Sequence, residues 1–166
     1  MQFKNVFLGL TLSCLALGIS SCSETEKTDQ EATQAESAPA AVISQEPFKP
    51  WPIDSSKIIT SPTGLKYYIL EEGTGNPVTV ASNIIANYHG ILPDGSVFDS
   101  SYDRGQPLQI GLNQVVKGWQ EGITKVKVGG KIFLIVPPDL GYGPQANGKI
   151  PANATLMFYV HLIGTY

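Results

Sequence analysis

Thiols and imidazoles are scarce in this sequence, with two cysteines and two histidines in 166 residues. A zinc site of four Cys or His ligands is therefore out of reach without carboxylate help. Positive charge is not in excess either. Eleven Lys and Arg stand against fourteen Asp and Glu, a formal net charge of −3, which argues against a large nucleic-acid surface. No nucleophile elbow of the Gly-x-Ser-x-Gly kind and no phosphate-loop glycine–lysine motif occurs. Asp99 and Asp103 lie four apart, but no carboxylate pair stands out as a hydrolytic dyad. His161 has strand spacing and reads as a structural or surface residue. His89, beside Tyr88 in a strand, gives little reason to expect a metal or base role. No metal and no cofactor are expected. The glycines and prolines, 17 and 12, follow no collagen period, and no internal repeat or alternating βα pattern predicts a parallel sheet.

The longest apolar run, Val6 to Ile19, is fourteen residues, broken only by Thr11 and Ser13 and preceded by Lys4. That is short for a bilayer span and typical of a signal-peptide core. The run ends Ile19-Ser20-Ser21-Cys22, a string that resembles a bacterial lipoprotein signal. The resemblance implies removal of residues 1–21 and acylation of Cys22, giving a stable membrane anchor on a domain that is not itself embedded. The plainer alternative is an ordinary signal peptide with a free cysteine. Ser23 after Cys22 is not a retention aspartate, which favours the outer membrane; a cell-envelope lipoprotein, periplasm-facing or surface-exposed, is expected.

Residues 23–46 carry six acids and one base and have no aromatic, leucine or glycine. So few large apolar groups cannot offset the entropy cost of folding, so residues 22–59 are expected to be a lipidated cysteine with an acidic, flexible tether. Past the tether the balance changes. From Pro47 to Tyr166 eight acids meet nine bases, so no partner is indicated by long-range charge. Phe48, Trp51, Ile58 and Ile59 form a transition that either packs on the domain edge or hangs as a loose arm.

Residues 60–166 read as one domain. Leu65 to Leu70, the stretch from Val80 strongest at 84–92, Val97 to Asp99, Lys131 to Val136 and Thr155 to Ile163 are predicted strands. In the last, Leu156, Phe158, Val160 and Leu162 share one face. Val115 to Lys125 is the only well-patterned helix, with Val115, Val116, Trp119 and Ile123 on one face and Asn113 as a plausible cap. Gly118 and Gly122 lie one turn apart and invite a close approach by a sheet or ligand. The fold class expected is α+β: a curved antiparallel sheet, a half-barrel, wrapped around one short helix.

Aromatics gather near glycine and proline turns: Tyr88, Phe98, Trp119, Tyr142 and Phe158. They read either as core or as an apolar pocket with Asp99, Arg104 and two phenol hydroxyls at its edge. The motifs that carry them are more specific than their composition. In order they are Gly64-Leu65-Lys66-Tyr67, Tyr88-His89-Gly90, Gly95-Ser96-Val97-Phe98-Asp99-Ser100-Ser101 and Val115-Val116-Lys117-Gly118-Trp119-Gln120-Glu121-Gly122. Val128-Gly129-Gly130-Lys131, Ile135-Val136-Pro137-Pro138, Tyr142-Gly143 and Ile150-Pro151-Ala152-Asn153-Ala154-Thr155-Leu156-Met157-Phe158 complete the series. This ordered set resembles the FKBP-type peptidyl-prolyl cis-trans isomerases, the macrolide-binding family, here carried on a lipoprotein leader.

The resemblance implies an enzyme that speeds rotation about X–Pro bonds without a covalent intermediate. Its catalytic positions fall on Tyr88, Phe98, Asp99, Val116, Trp119, Tyr142 and Phe158. Arg104, Leu108, Val115 and Ile150 take substrate-binding positions. Trp119 is the floor under the prolyl ring, while the Val116 N–H and the Tyr142 hydroxyl reach substrate carbonyls. Asp99 either frames Tyr88 and Arg104 or faces the amide, the frame being favoured. Implied partners are X–Pro polypeptides among exported proteins and macrolide inhibitors; a monomer is expected. Leu108 replaces a frequent aromatic wall, residues 110–113 look about one residue short, and Lys149 stands where an apolar residue is common. A non-catalytic binding module on the same fold and a solute-binding lipoprotein are the rival readings.

Overall fold

The computed structural model describes residues 48–166. The leader, Cys22 and the tether as far as residue 47 lie outside the described residues. Seven strands form one antiparallel sheet: β1 (Ile59–Thr60), β2 (Lys66–Glu71), β3 (Asn83–Ile91), β4 (Val97–Ser100), β5 (Leu108–Gly111), β6 (Lys131–Val136) and β7 (Leu156–Thr165). The order across the sheet is β1-β2-β6-β7-β3-β4, with β5 also paired to β3. Among the described residues two α-helices accompany it, α1 (Ser101–Arg104) and α2 (Lys117–Ile123). The α+β architecture expected from the sequence is present, with a one-turn helix that the hydrophobic pattern did not announce.

Strand alternation decides the core. Ile84, Ala86 and Tyr88 on β3, Ile132, Leu134 and Val136 on β6, and Leu156, Phe158, Val160 and Leu162 on β7 are all buried together. Trp119 and Ile123 of α2 join the same cluster. The residues between them point to the other face, the period-two rule of a pleated strand.

The helix is shorter than its pattern predicts. Val115 and Val116 precede it, Val116 occupies the cap position, and no side chain caps the first turn. Asn113 lies instead in a 3-10 turn, Leu112–Gln114. The apolar spacing of Val115 and Val116 reflects burial on the approach to the helix rather than membership of it. Gly118 and Gly122 have a clear structural use. A Cβ at Gly118 would stand 2.5 Å from Val136 Cγ1, and one at Gly122 would stand 2.5 Å from Leu134 Cδ2. The helix backbone therefore lies directly on β6.

β3 is a divided strand. Its first half pairs with β5, its second half with β4, and its other edge with β7 throughout. The chain leaves β4 through α1, capped by Ser100 at one end and by Gly105 in the left-handed region (φ 65°) at the other. In the gap between β4 and β5, the buried Ser101 Oγ accepts the Tyr88 N–H at 2.8 Å and donates to Asn87 Oδ1 at 3.1 Å. A lost ladder bond is thus replaced by a hydroxyl.

On the opposite face the transition segment is packed. Phe48 stacks on His89 with ring centres 4.1 Å apart and tilts against Tyr102 and Tyr159. Trp51 meets Tyr159 edge-on at 5.7 Å, and the Lys131 ammonium lies 5.8 Å from the Trp51 ring centre. Phe48 and Trp51, in the stretch expected to end the tether, thus pack beside the sheet, and Ile59 already belongs to β1.

The contact between α2 and β6 makes a prediction against helix propensity. Alanine is the better helix former by about 1 kcal/mol. Gly122→Ala should nonetheless destabilise the protein by about 1–3 kcal/mol, because the fully buried Leu134 has nowhere to retreat. Urea unfolding of both proteins measures this; a more stable variant would show that the close approach is not tight.

Candidate functional site

The inner face of β3, β4 and β7 and the start of α2 enclose a cavity of about 290 Å³. Its size sits near the low end for small-molecule sites, roughly 300–1,000 Å³, enough for one ring with its flanking amides. Each ring of its lining arrives from a different element. Tyr88 comes from β3, Phe98 from β4, Trp119 from α2 and Phe158 from β7. They meet edge to face: Tyr88–Trp119 at 5.2 Å and 87°, Trp119–Phe158 at 5.4 Å and 84°, and Phe98–Phe158 at 5.4 Å and 89°. Perpendicular rings place positive edges on negative faces and leave a hollow that flat stacking would close. Gly90 contributes by omission, since a Cβ there would stand 2.6 Å from Phe98 Cζ.

Trp119 is 3% exposed, and its indole N–H is the single buried side-chain donor or acceptor without a partner among the described residues. Tyr142 follows the 3-10 turn Pro138–Leu140 and is exposed at the rim. Val116 lines the cavity, and its carbonyl accepts the backbone N–H of Trp119 at 2.9 Å. Among the described residues the Val116 N–H itself has no acceptor.

One polar edge interrupts the apolar lining. The Tyr88 hydroxyl donates to Asp99 Oδ2, Arg104 pairs with Asp99 Oδ1, and the other Arg104 nitrogen donates to the Tyr88 hydroxyl oxygen at 3.0 Å. Burial, helped by the Asp99 hydrogen bond, pushes the Tyr88 phenol up to about 12. α1 makes this triangle possible by turning the chain so that Arg104 returns over the Tyr88 ring, 5.4 Å from its centre.

The structure thus brings Tyr88, Phe98, Asp99, Val115, Val116, Trp119, Tyr142, Phe158 and Leu108 around one cavity. Arg104 stands behind Asp99 rather than in the lining. Ile150 is placed elsewhere: it is buried in an adjoining groove of about 350 Å³ that shares Phe98, Asp99 and Tyr142 with the cavity. Sequence reasoning missed Ile110 and Gln114, which also line the cavity. Ile110 follows Leu108 at strand spacing, a signal too short to read without knowing that β5 exists. Gln120 was missed as well. Its side-chain amide donates to the Val115 carbonyl at 2.8 Å and fixes the turn that leads into the helix.

The sequence profile of the family described as FKBP-type peptidyl-prolyl cis-trans isomerase matches residues 75–163. The chain belongs to that family. It is 50% identical over 103 residues to FK506-binding protein 1 of Dictyostelium discoideum, covering 60% of this chain and 96% of that one. It is 46% identical over 104 residues to the FKBP-type isomerase FkpA of Escherichia coli K12, covering 63% of this chain and 38% of FkpA. The crystal structure of FkpA superposes with a TM-score of 0.64 at 44% identity over 66% of this chain and 51% of that one. The crystal structure of AtFKBP13 gives 0.61 at 36% identity over 66% of this chain and 98% of that one. The chain spans about two fifths of the length of FkpA.

The polar triangle of this FKBP domain makes a spectroscopic prediction. Tyr88 should keep its proton above about pH 11, where an ordinary phenol is mostly ionised. Asp99→Asn replaces a charged acceptor that favours the neutral phenol by an uncharged amide, so ionisation of Tyr88 should move to lower pH. Tyrosine ring NMR signals, assigned through Tyr88→Phe, report both. A Tyr88 signal that titrates near 10 in the unsubstituted protein would contradict the arrangement.

Proposed function

We propose that this chain is a peptidyl-prolyl cis-trans isomerase that acts on X–Pro bonds of exported proteins while tethered to the cell envelope through Cys22. The observation that carries the reading is the aromatic cavity with a buried indole at its base and one compensated carboxylate at its edge.

The chemistry asks for no nucleophile. The barrier between cis and trans is roughly 18–20 kcal/mol because rotation breaks amide resonance. A twisted amide has a more pyramidal nitrogen and a less charge-separated carbonyl, so it loses less than the planar form when water is withdrawn. A cavity walled by Tyr88, Phe98, Trp119 and Phe158 is selectively tolerant of that state. Trp119 supports the prolyl ring. The Val116 N–H and the Tyr142 hydroxyl, both without partners among the described residues, hold flanking carbonyls while the amide turns. Asp99 is already engaged by Tyr88 and Arg104, which favours its frame role over one in which the carboxylate faces the amide carbonyl carbon. No proton leaves during rotation, so a conventional acid or base is not required. The remaining steps of the reading, the lipid anchor and the outer-membrane address, rest on Cys22 and its flanks. Macrolides with a prolyl-like ring are candidate inhibitors, and Leu108 makes one wall softer toward them than an aromatic would.

The test is turnover of a short Ala-Pro peptide by the full chain in a protease-coupled assay. Trp119→Ala should lower kcat/KM on the order of ten-fold or more. Asp99→Asn should lower it by a similar order, through loss of the frame around Tyr88. Circular dichroism and unfolding midpoints accompany each variant, and folded variants with undiminished turnover would refute the assignment.

A further inference from the structure

The groove beside the cavity contains a lysine, which the cavity does not. It shares the Phe98–Asp99–Tyr142 wall with the cavity and is closed by residues 147–150. That closing turn is built, not loose. Asn147 and Ile150 exchange both backbone hydrogen bonds, each 2.9 Å, so Gly148 and Lys149 are the two residues of a tight hairpin tip. Gly148 has φ 57°, the left-handed value that the first position of such a turn requires. Ile150 is 6% exposed and anchors the turn against the body of the domain. The root of Lys149 is therefore fixed over the groove even though its side chain is exposed.

The two charges of the groove are not equivalent. Asp99 is neutralised by Arg104 and hydrogen-bonded by Tyr88. Lys149 has no carboxylate within ion-pair distance among the described residues. The groove thus presents one uncompensated positive charge next to apolar Phe98 and Ile150.

We propose that Lys149 sets the substrate preference of this site, the groove taking the side chain of the residue before proline and favouring glutamate or aspartate there. The inference rests on the isomerase reading and adds to it the class of bond acted upon, acidic-residue–proline. The preceding residue is chosen for a geometric reason. Its carbonyl carbon is bonded to the prolyl nitrogen, so its side chain is the first substrate group to leave the cavity along the shared wall. The residue after proline follows the prolyl carbonyl, and Val116, whose N–H takes a flanking carbonyl, lines the cavity and not the groove. The lysine is a specificity-determining residue and takes no part in the rotation.

The experiment measures kcat/KM of the full chain on peptides with Ala, Glu, Gln or Lys before proline, and on a second series with the same residues after it. Exposed ion pairs are modest, so Glu should exceed Gln by about two- to five-fold at low salt, with Lys below Gln. The Glu:Gln ratio should fall toward one in about 0.5 M salt. Lys149→Glu should reverse the order, making Lys the better residue; the ratio within each protein is the readout. A Glu:Gln ratio of one with normal Ala-Pro turnover overturns the inference and leaves the isomerase reading standing. So does a preference that Lys149→Glu fails to change, or one that appears only after proline. Absence of Ala-Pro turnover overturns the isomerase reading, and the inference with it.

Discussion

Gly118 and Gly122 allow α2 to lie directly against Val136 and Leu134, and the geometry of the site is set by that contact. A helix held further from the sheet would carry Trp119 away from Phe158 and Tyr88. At the observed distance the indole is nearly sealed from water yet still borders a cavity. The same logic of missing side chains operates at Gly90, where the absence of a Cβ makes room for Phe98. The hollow therefore depends on small residues at three places as much as on the rings that line it. Close packing elsewhere keeps those rings from collapsing into it.

The polar edge of the site follows from the split of β3. Because β4 peels away and β5 begins two residues after Gln106, the chain has space for α1, and α1 returns Arg104 to Asp99 and Tyr88. Ser101 satisfies the Tyr88 N–H that this departure would otherwise strand. Backbone accounting and site electrostatics are thus one feature: the turn that repairs the ladder also delivers the guanidinium. The result is a carboxylate whose charge is balanced within the protein, leaving the cavity itself without a free charge.

Much of this was legible in the residues. Alternation along β7 identified the inward set that includes Phe158, and the ordered motifs assigned Trp119, Asp99 and the rim tyrosine. Helical spacing, by contrast, overextended α2, because Val115 and Val116 are half-buried where they line the same cavity as Trp119 and so mimic its period. β5 was missed because three residues between Pro107 and Gly111 carry too little pattern; only pairing with distant Asn83–Ala86 makes Leu108–Gly111 a strand. Ile110 and Gln114 were missed with it. The Gln120 hydrogen bond and the packing of Phe48 on His89 depend on contacts that no local signal encodes. Ile150, given a substrate-binding position by its motif, lines the neighbouring groove that shares Phe98, Asp99 and Tyr142 with the cavity.

The central claim is that a prolyl ring sits against the Trp119 indole inside a cavity that excludes water. The most direct measurement is NMR of a short Ala-Pro peptide with the protein, recording proton–proton contacts and exchange between the cis and trans signals together. The account predicts contacts from the prolyl ring protons to the Trp119 indole, with those protons shifted upfield by the surrounding rings while cis–trans exchange is accelerated. Accelerated exchange with prolyl protons that are unshifted and touch other residues would contradict it.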